Sequence, residues 1–539
     1  MKTKSLKILL IFILILGIVG CESRLDIPKK GDMGSTESFY KTDQDALAAK
    51  SALYQSFLGT AGSVRTLLNL LSDDIWCGGA QKSDNAGMEE VGGYMFNSSS
   101  TTSLSSYQSL YTVIYRACLI LEHFEAFDTD IKKEVQAEAY FARGWANFYL
   151  AAMYGTSPLV DHLLSPSEYY PGNSTAMEKY EQAVEDFKAA IALNSLQTKT
   201  NLNDLNTVYI TQEYAYAMLG KTYVFMKEWD LAIAAFDNVI GSGKYDLWYG
   251  DYQNIAKMES DFNCEYIMER NYLFDANNRS GNWGGIMYGW RTNKFLWANN
   301  ASNPDADPVG YDLIPSGWGF YVPRKALYDA FLAMDPDSNS YRLRSTIVTY
   351  DQVYAMGVTN SQRVHGCEGF LTWKYRYRWS ETNNNNIFSG AANDKVMRYA
   401  EVLLLAAEAN VMSPSGSQAD ALDYINQIRD RAQLTDLGAV TLDDIQKEKR
   451  LELWGEGTRF LDLVRWGIAE DYLGVPDGSM EMPGFTAIHN GTDPDIYEWQ
   501  VSTEYVNITN GYVEGQHNVL PIPDKEIMQN KNLEQNPGW

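Results

Sequence analysis

The chain has 539 residues, 45% of them hydrophobic, with 69 Asp and Glu against 44 Lys and Arg, for a formal net charge of −25. A surface this acidic repels nucleic-acid phosphates and anionic bilayers, which excludes nucleic acid as a partner and leaves neutral ligands or basic proteins. The hydrophobic share can bury a large core, and the length allows about two to four domains.

Lys2, Lys4 and Lys7 precede an uncharged run from Ile8 to Ile18. That is a basic n-region followed by an h-region of secretory length. It falls short of the roughly 20 apolar residues that span a bilayer. The run ends in "GIVGC". A small residue before a lone cysteine resembles the bacterial lipoprotein box, in which Cys21 becomes the acylated, palmitate-bearing N-terminus; an ordinary secretory signal is the alternative. Several acyl chains on Cys21 would hold the chain at a membrane. Residues 1–20 are thus read as signal peptide and 21–35 as tether. The other cysteines, Cys77, Cys118, Cys264 and Cys367, are widely scattered. They read as free buried thiols, with one or two disulfides the alternative after export, and they lack the spacing of a zinc site.

From residue 36 onward most segments read as helices. "DQDALAAKSALYQSFL" places Ala46, Ala49, Leu53 and Phe57 on one face. "KEVQAEAYFARGWANFYLAAMYG" spaces Val135, Ala139, Ala142, Trp145, Tyr149 and Ala152 by threes and fours and stops at Gly155, with Pro158 beyond. "AMEKYEQAVEDFKAAIALN" repeats the pattern with Tyr180, Ala183, Phe187 and Ala190. "YAMLGKTYVFMKEWDLAIAAFDNVI" resembles a tetratricopeptide repeat. Gly220 and Ala232 let two helices approach, and Tyr223, Trp229 and Phe236 fill the space between them. The Ala183 helix and "QADALDYINQIRDRA" look like second helices of poorer copies. One helix pair cannot bury its own face, so several should stack. The expectation is a mostly α fold. A tetratricopeptide-like scaffold occupies about 36–244 and 395–470, with a loop-rich Trp/Gly/Asn-rich insertion over 245–394 and an irregular end over 471–539. All of it forms a single domain, 36–539.

In "ELWGEGTRFLDLVRWG" Glu456, Arg459, Asp462 and Arg465 recur every three residues. On one helix this is an alternating charge ladder that keeps each carboxylate ionised, a structural feature rather than an acid–base pair. Gly455 and Gly457 should break or bend that helix. "DPDSNSYRLRST" starts like a calcium loop with Asp335, Asp337 and Asn339 but lacks the Gly and Glu such a loop needs. Like "NPDADPVGYD", it reads as a solvated turn, so no cofactor is expected, with a weak calcium site the alternative. No nucleophile elbow or zinc-protease motif occurs.

The densest chemical signal is aromatic. Trp283, Trp290, Trp297 and Trp318 cluster with Tyr288, Tyr311 and Tyr321 among Gly, Asn and Arg291. A sugar ring offers an apolar C–H face for flat aromatics and a hydroxyl edge for Asn, Asp and Arg. About 1 kcal/mol per ring from apolar burial, with a few hydrogen bonds, reaches roughly 4–8 kcal/mol, a millimolar to micromolar affinity suited to capture and release. The alternative is that these rings are core.

Several stretches in order also resemble one family: "LDIP" after the Cys, "STESFYKTDQDALAAKSALY", "VQAEAYFARGWANFYLAAMYGTSPLV", "VMRYAEVLLLAAEAN", "KEKRLELWGEGTRFLDLVRWG" and the terminal "LPIPDKEIMQNKNLEQNPGW". Together they are similar to the SusD/RagB outer-membrane nutrient-binding lipoproteins. That resemblance implies a surface-exposed, non-catalytic protein that captures an oligosaccharide or polysaccharide, or in some members peptides. It would act as a lid on a SusC-like TonB-dependent β-barrel transporter. It also implies that loops after the early helices face the ligand, which adds Asp74, Trp76 and Asn85, and more weakly Tyr94. The site expected is therefore Asp74, Trp76, Asn85, Trp283, Tyr288, Trp290, Arg291 and Trp318. Replacing Trp76 or Trp290 should abolish ligand retention without unfolding. The rivals are a surface adhesin and a glycosidase enlisting Asp73, Asp74, Asp312 or Glu368, which no pattern selects.

Overall fold

The computed structural model describes residues 39–539 except 276–280, 282–286, 288–293, 296–311, 313–316, 338–339, 356–357, 360–363, 377, 384–387, 476–482, 490–496 and 503–510, and leaves undescribed the side chains of 294–295, 354–355, 358–359, 485–489 and 497–502. The signal segment and tether read from the sequence lie outside it.

Helix α1 (Asp43–Leu70) starts on a capping box: Thr42 Oγ1 accepts from Asp45 N (3.2 Å), and Asp45 Oδ2 accepts from Thr42 N (2.8 Å). Its buried face is the one read from spacing, with Ala46, Ala49, Leu53 and Phe57 all inside. α2 (Ala86–Gly92) and α3 (Thr101–His123) follow. Next come α4 (Asp130–Tyr154), α5 (Ala176–Ala192), α6 (Gln212–Met226) and α7 (Trp229–Ile240). α1 packs on α3, and from α3 to α7 each helix packs on the next. α7 then packs on α9 (Tyr399–Met412), which in turn carries α10 (Gln418–Arg431) and α11 (Leu442–Glu452). This is a tetratricopeptide-like stack, and α4–α5, α6–α7 and α9–α10 are the pairs that the sequence marks as repeats. A Cβ on Gly220 would lie 2.6 Å from the Phe236 ring, so only glycine lets α6 and α7 close to this distance.

Short antiparallel ribbons form within the insertion and between it and its flanks. β1 (Ile75–Gly78) pairs with β3 (Phe320–Pro323), β2 (Tyr266–Arg270) with β6 (Asp394–Arg398), and β4 (Ile347–Thr349) with β5 (Phe370–Thr372). The insertion also holds a helix absent from the sequence reading, α8 (Lys325–Met334), which buries only Leu327 and Phe331. Tyr328, Ala330, Leu332 and Met334 pack half-buried on the core beside them, so apolar residues lie on most sides of the helix and leave no sharp period.

The expected charge ladder is not one helix. Gly455 and Gly457, both at φ +79°, break the chain between α11 and α12 (Arg459–Trp466). Glu456 therefore turns to Arg398 and Lys374, Arg459 to Asp73, and Arg465 to Glu408, while Asp462 takes Lys449 and Arg465. The carboxylates do stay ionised: burial raises Glu456 and Asp462, but the facing cations outweigh it and leave both below the usual range. Cys77, Cys118, Cys264 and Cys367 are free thiols.

The C-terminal segment returns to the scaffold. Leu520 N donates to the Met153 carbonyl (2.6 Å) and Asn536 Nδ2 to that of Tyr154 (2.7 Å). It closes over a ring cluster in which His517 lies 5.1–6.0 Å from Tyr94, Phe96, Tyr512 and Trp539. Val513 N donates to His517 Nδ1 (2.8 Å), which requires a neutral ring. Burial pushes its pKa from the ordinary 6.5 down to about 4. Below pH 6.5 the unfolded chain takes up this proton and the folded chain does not. Stability present above that pH is therefore lost as pH falls toward 4. Urea midpoints should decline through this window and the His517→Phe curve should be flatter; equal slopes would exclude His517 as the cause.

Candidate functional site

Where α1, α2 and the start of α3 meet the β2–β6 ribbon, the surface opens into a cleft of about 810 Å³. α1 presents Gly59 and Gly62 to it, and a Cβ on either would meet nothing within 4 Å. Two glycines inside a helix cost roughly 1 kcal/mol each against alanine; here they leave bare backbone as the cleft floor. Asn85 caps α2, its Oδ1 accepting from Met88 N (3.3 Å), and lines the cleft beside Thr101, Thr102 and Ser105 of α3.

The opposite wall is a fixed polar cluster. Arg65 donates from Nη2 to Asp394 Oδ1 (2.9 Å) and from Nη1 to the Lys395 carbonyl (3.0 Å). Tyr272 Oη lies 3.5 Å from Asp394 Oδ2, and the Arg270 guanidinium sits 5.2 Å from the Tyr272 ring. Arg65 thus holds Asp394 as an ionised acceptor, and the wall offers donors, acceptors and one flat ring.

Two exposed rings belong to segments that meet the cleft. Trp318 is 37% and Phe388 38% exposed, with centroids 6.0 Å apart. Trp318 leads into β3, whose Tyr321 lines the cleft. Phe388 precedes Ser389, whose backbone a Cβ on Gly281 would meet at 2.6 Å, and Gly281 lines the cleft too. Neither ring is part of the cleft lining; each flanks a segment that meets it.

The structure divides the expected residues. Asn85 lines the cleft, and Trp318 is exposed three residues before the cleft-lining Tyr321. Trp283, Tyr288, Trp290 and Arg291, with Trp297 and Tyr311, lie outside the described residues. Asp74 does not line the cleft: it is 1% exposed, and Arg450 donates to its Oδ1 from Nε (2.9 Å) and Nη2 (2.6 Å). Trp76 does not line it either. It is 4% exposed in β1, lies under the Arg324 guanidinium at 3.9 Å, and donates from Nε1 to Glu368 Oε2 (3.0 Å). Tyr94 is buried, its hydroxyl bonded to the Leu71 carbonyl. These three hold the molecule together from inside. Asp337 N donates to Asp335 Oδ1 (3.2 Å), an ordinary Asx turn, and Asn339 is outside the described residues.

A family model described as "SusD family" matches residues 264–539. The chain belongs to the SusD family. A second model, described as "Starch-binding associating with outer membrane", matches residues 76–224 of this SusD-family chain. SusD-like protein P2 of Formosa agariphila is 25% identical to it over 98% of both chains. Among solved structures, a "Laminarin binding SusD-like protein" superposes with a TM-score of 0.73 at 26% identity, covering 93% of this chain and 100% of that one. Surface glycan-binding protein A from Bacteroides uniformis superposes at 0.71 with 25% identity, covering 92% and 99%. Among the described residues no helix is long and apolar enough to cross a membrane.

In this SusD-family chain the sequence reading missed Arg65, Arg270, Tyr272, Asp394 and Phe388. Most are lone polar residues in helices or strands and carry no local pattern. Gly59 and Gly62 did carry one, since paired glycines at helical spacing inside an Ala- and Leu-rich helix mark a face kept clear of side chains.

Proposed function

We propose that the cleft binds a neutral oligosaccharide and that the protein, held at the outer membrane by lipid on Cys21, passes it to a SusC-like TonB-dependent barrel. The observation that carries this reading is a cleft walled by Asn, Thr, Ser, Tyr and Arg, with the exposed Trp318 and Phe388 rings on segments that run into it. That is the two-sided chemistry of a sugar, an apolar C–H face and a hydroxyl edge. The laminarin-binding relative and the glycan-binding name of the second structural relative support it.

Binding without chemistry fits the carboxylates. Asp73 and Asp74 are held by Arg459 and Arg450, Glu368 accepts from Trp76 and Lys325 N, and Asp312 accepts from Ser380 N. None of them forms an opposed pair across the cleft, as glycoside hydrolysis requires. Affinity electrophoresis and calorimetry against laminarin, laminarihexaose and a peptide panel test the proposal. Trp318→Ala/Phe388→Ala should keep its fold and lose roughly tenfold or more in glycan affinity, about 1 kcal/mol for each ring. Retention of peptides but not glycans, or wild-type glycan affinity in the double variant, would sink it.

A further inference from the structure

Away from the cleft, a groove of about 210 Å³ is lined by Tyr107, Tyr111, Tyr169, Tyr170, Glu526 and Asn530, among others. Tyr169 is 56% and Tyr170 59% exposed. Two adjacent tyrosines held half in water on a loop need a reason, and the loop carrying them is not slack. Asn532 Nδ2 donates to the Tyr170 carbonyl (2.7 Å), and Asn530 Nδ2 donates to that of Pro171 (2.7 Å). Tyr111 Oη donates to the Pro158 carbonyl (2.6 Å) in the floor. The C-terminal segment thus fixes the backbone under the rings, so most of the ordering cost of binding there is already met.

Helix α3 joins this groove to the cleft. It carries Thr101, Thr102 and Ser105 into the cleft and Tyr107 and Tyr111 into the groove. At 1.5 Å per residue, Thr102 and Tyr111 are about 14 Å apart along the axis. Between the two openings its exposed ridge is Thr101, Ser105, Gln108 and Thr112, all hydroxyls and amides with no charge. Gln108 Nε2 donates to Glu526 Oε1 (2.8 Å) at the groove's edge. A polar, uncharged track therefore runs from one opening to the other, with flat rings at both ends.

We propose that the Tyr169–Tyr170 groove is a second glycan subsite, occupied by a neutral sugar of the same polymer that fills the cleft. It rests on the reading of the cleft as a glycan site and extends it from a short oligosaccharide to a long chain. Phenol rings supply the apolar platform, and Asn530, Gln529 and Glu526 supply the hydroxyl partners. Among the described residues lining the groove Glu526 is the one charged group, and it is negative. Sulfated or uronic sugars are therefore repelled. Two linked weak sites raise retention of a polymer that spans both, with no gain for a fragment that reaches only one.

The test uses the full mature chain, with laminarin, amylopectin and galactomannan in affinity gels and a disaccharide of the retained polymer, too short to reach both openings, in calorimetry. Tyr169→Ala/Tyr170→Ala is expected to weaken polymer retention by roughly tenfold while disaccharide affinity at the cleft stays at the wild-type value. Trp318→Ala/Phe388→Ala should weaken both. If the wild-type protein is retained by no neutral polysaccharide, the cleft reading fails and this one with it. If it is retained and the tyrosine variant is retained equally, only the second subsite is overturned, and the rings become a protein contact.

Discussion

Replacing Glu452 with alanine is expected to remove roughly 3–5 kcal/mol of folding stability. Glu452 is fully buried at the end of α11. Its Oε1 takes Arg431 Nη2 (2.5 Å) and Arg398 Nη1 (3.1 Å), and its Oε2 takes Tyr252 Oη (2.9 Å) and Arg342 Nη1 (3.4 Å). Burial alone would raise its pKa, but the surrounding guanidiniums outweigh it and hold the carboxyl well below the usual range. Removing the carboxylate leaves Arg342, Arg398 and Arg431 without a shared counter-charge where water cannot replace it. Glu265, Glu448 and Glu456 compensate only in part. The exposed Lys325–Asp329 pair on α8 is the control, and breaking it should cost under about 1 kcal/mol. Equal urea midpoints for Glu452→Ala and Asp329→Asn would show that the network contributes nothing net.

The network also reaches the cleft. Arg398 ends β6, and the network partner Glu265 immediately precedes β2. The other end of the same ribbon is the Arg270–Asp394 register pair that walls the cleft. The buried charges fasten one end of a short two-stranded ribbon to α10 and α11, which points its far end at α1. A five-residue ribbon alone is too short to be stable, so the position of Asp394 opposite Arg65 depends on charges buried at the ribbon's other end.

This explains what could and could not be read beforehand. Helix faces came through because Ala46, Leu53, Phe57, Tyr223 and Phe236 obey a local period set by the backbone. The close approach at Gly220 came through because glycine and phenylalanine sit in adjacent helices of one repeat. The charge pairing did not, since Glu456 finds Arg398 and Arg65 finds Asp394 across more than fifty residues of chain, and spacing carries no such information. The aromatic residues are split in place. Trp318 is exposed three residues before the cleft-lining Tyr321, whereas Tyr169, Tyr170 and Tyr272 lie outside the Trp-rich cluster, two in a loop and one just after β2.

Trp76 is where the two readings part most sharply, and Trp76→Ala decides between them. As a ligand platform, its removal would cost binding and little stability. The structure implies the reverse. The ring is buried in β1 across from Val322, capped by Arg324 and bonded to Glu368. Truncation opens a cavity, removes the face that covers a guanidinium, and takes one donor from Glu368. A loss of roughly 3–5 kcal/mol is expected, against about 1 kcal/mol for Trp76→Phe, which keeps a ring and forfeits the Nε1 bond. Glycan affinity of the folded fraction, measured at low temperature well below the variant's midpoint, should stay near wild type, because nothing in the cleft lining includes this side chain. A Trp76→Ala protein with an unchanged urea midpoint and no glycan binding would return Trp76 to the ligand. It would also mean that β1 and β3 part from each other when sugar enters, since only an opened ribbon could bring that indole to the surface.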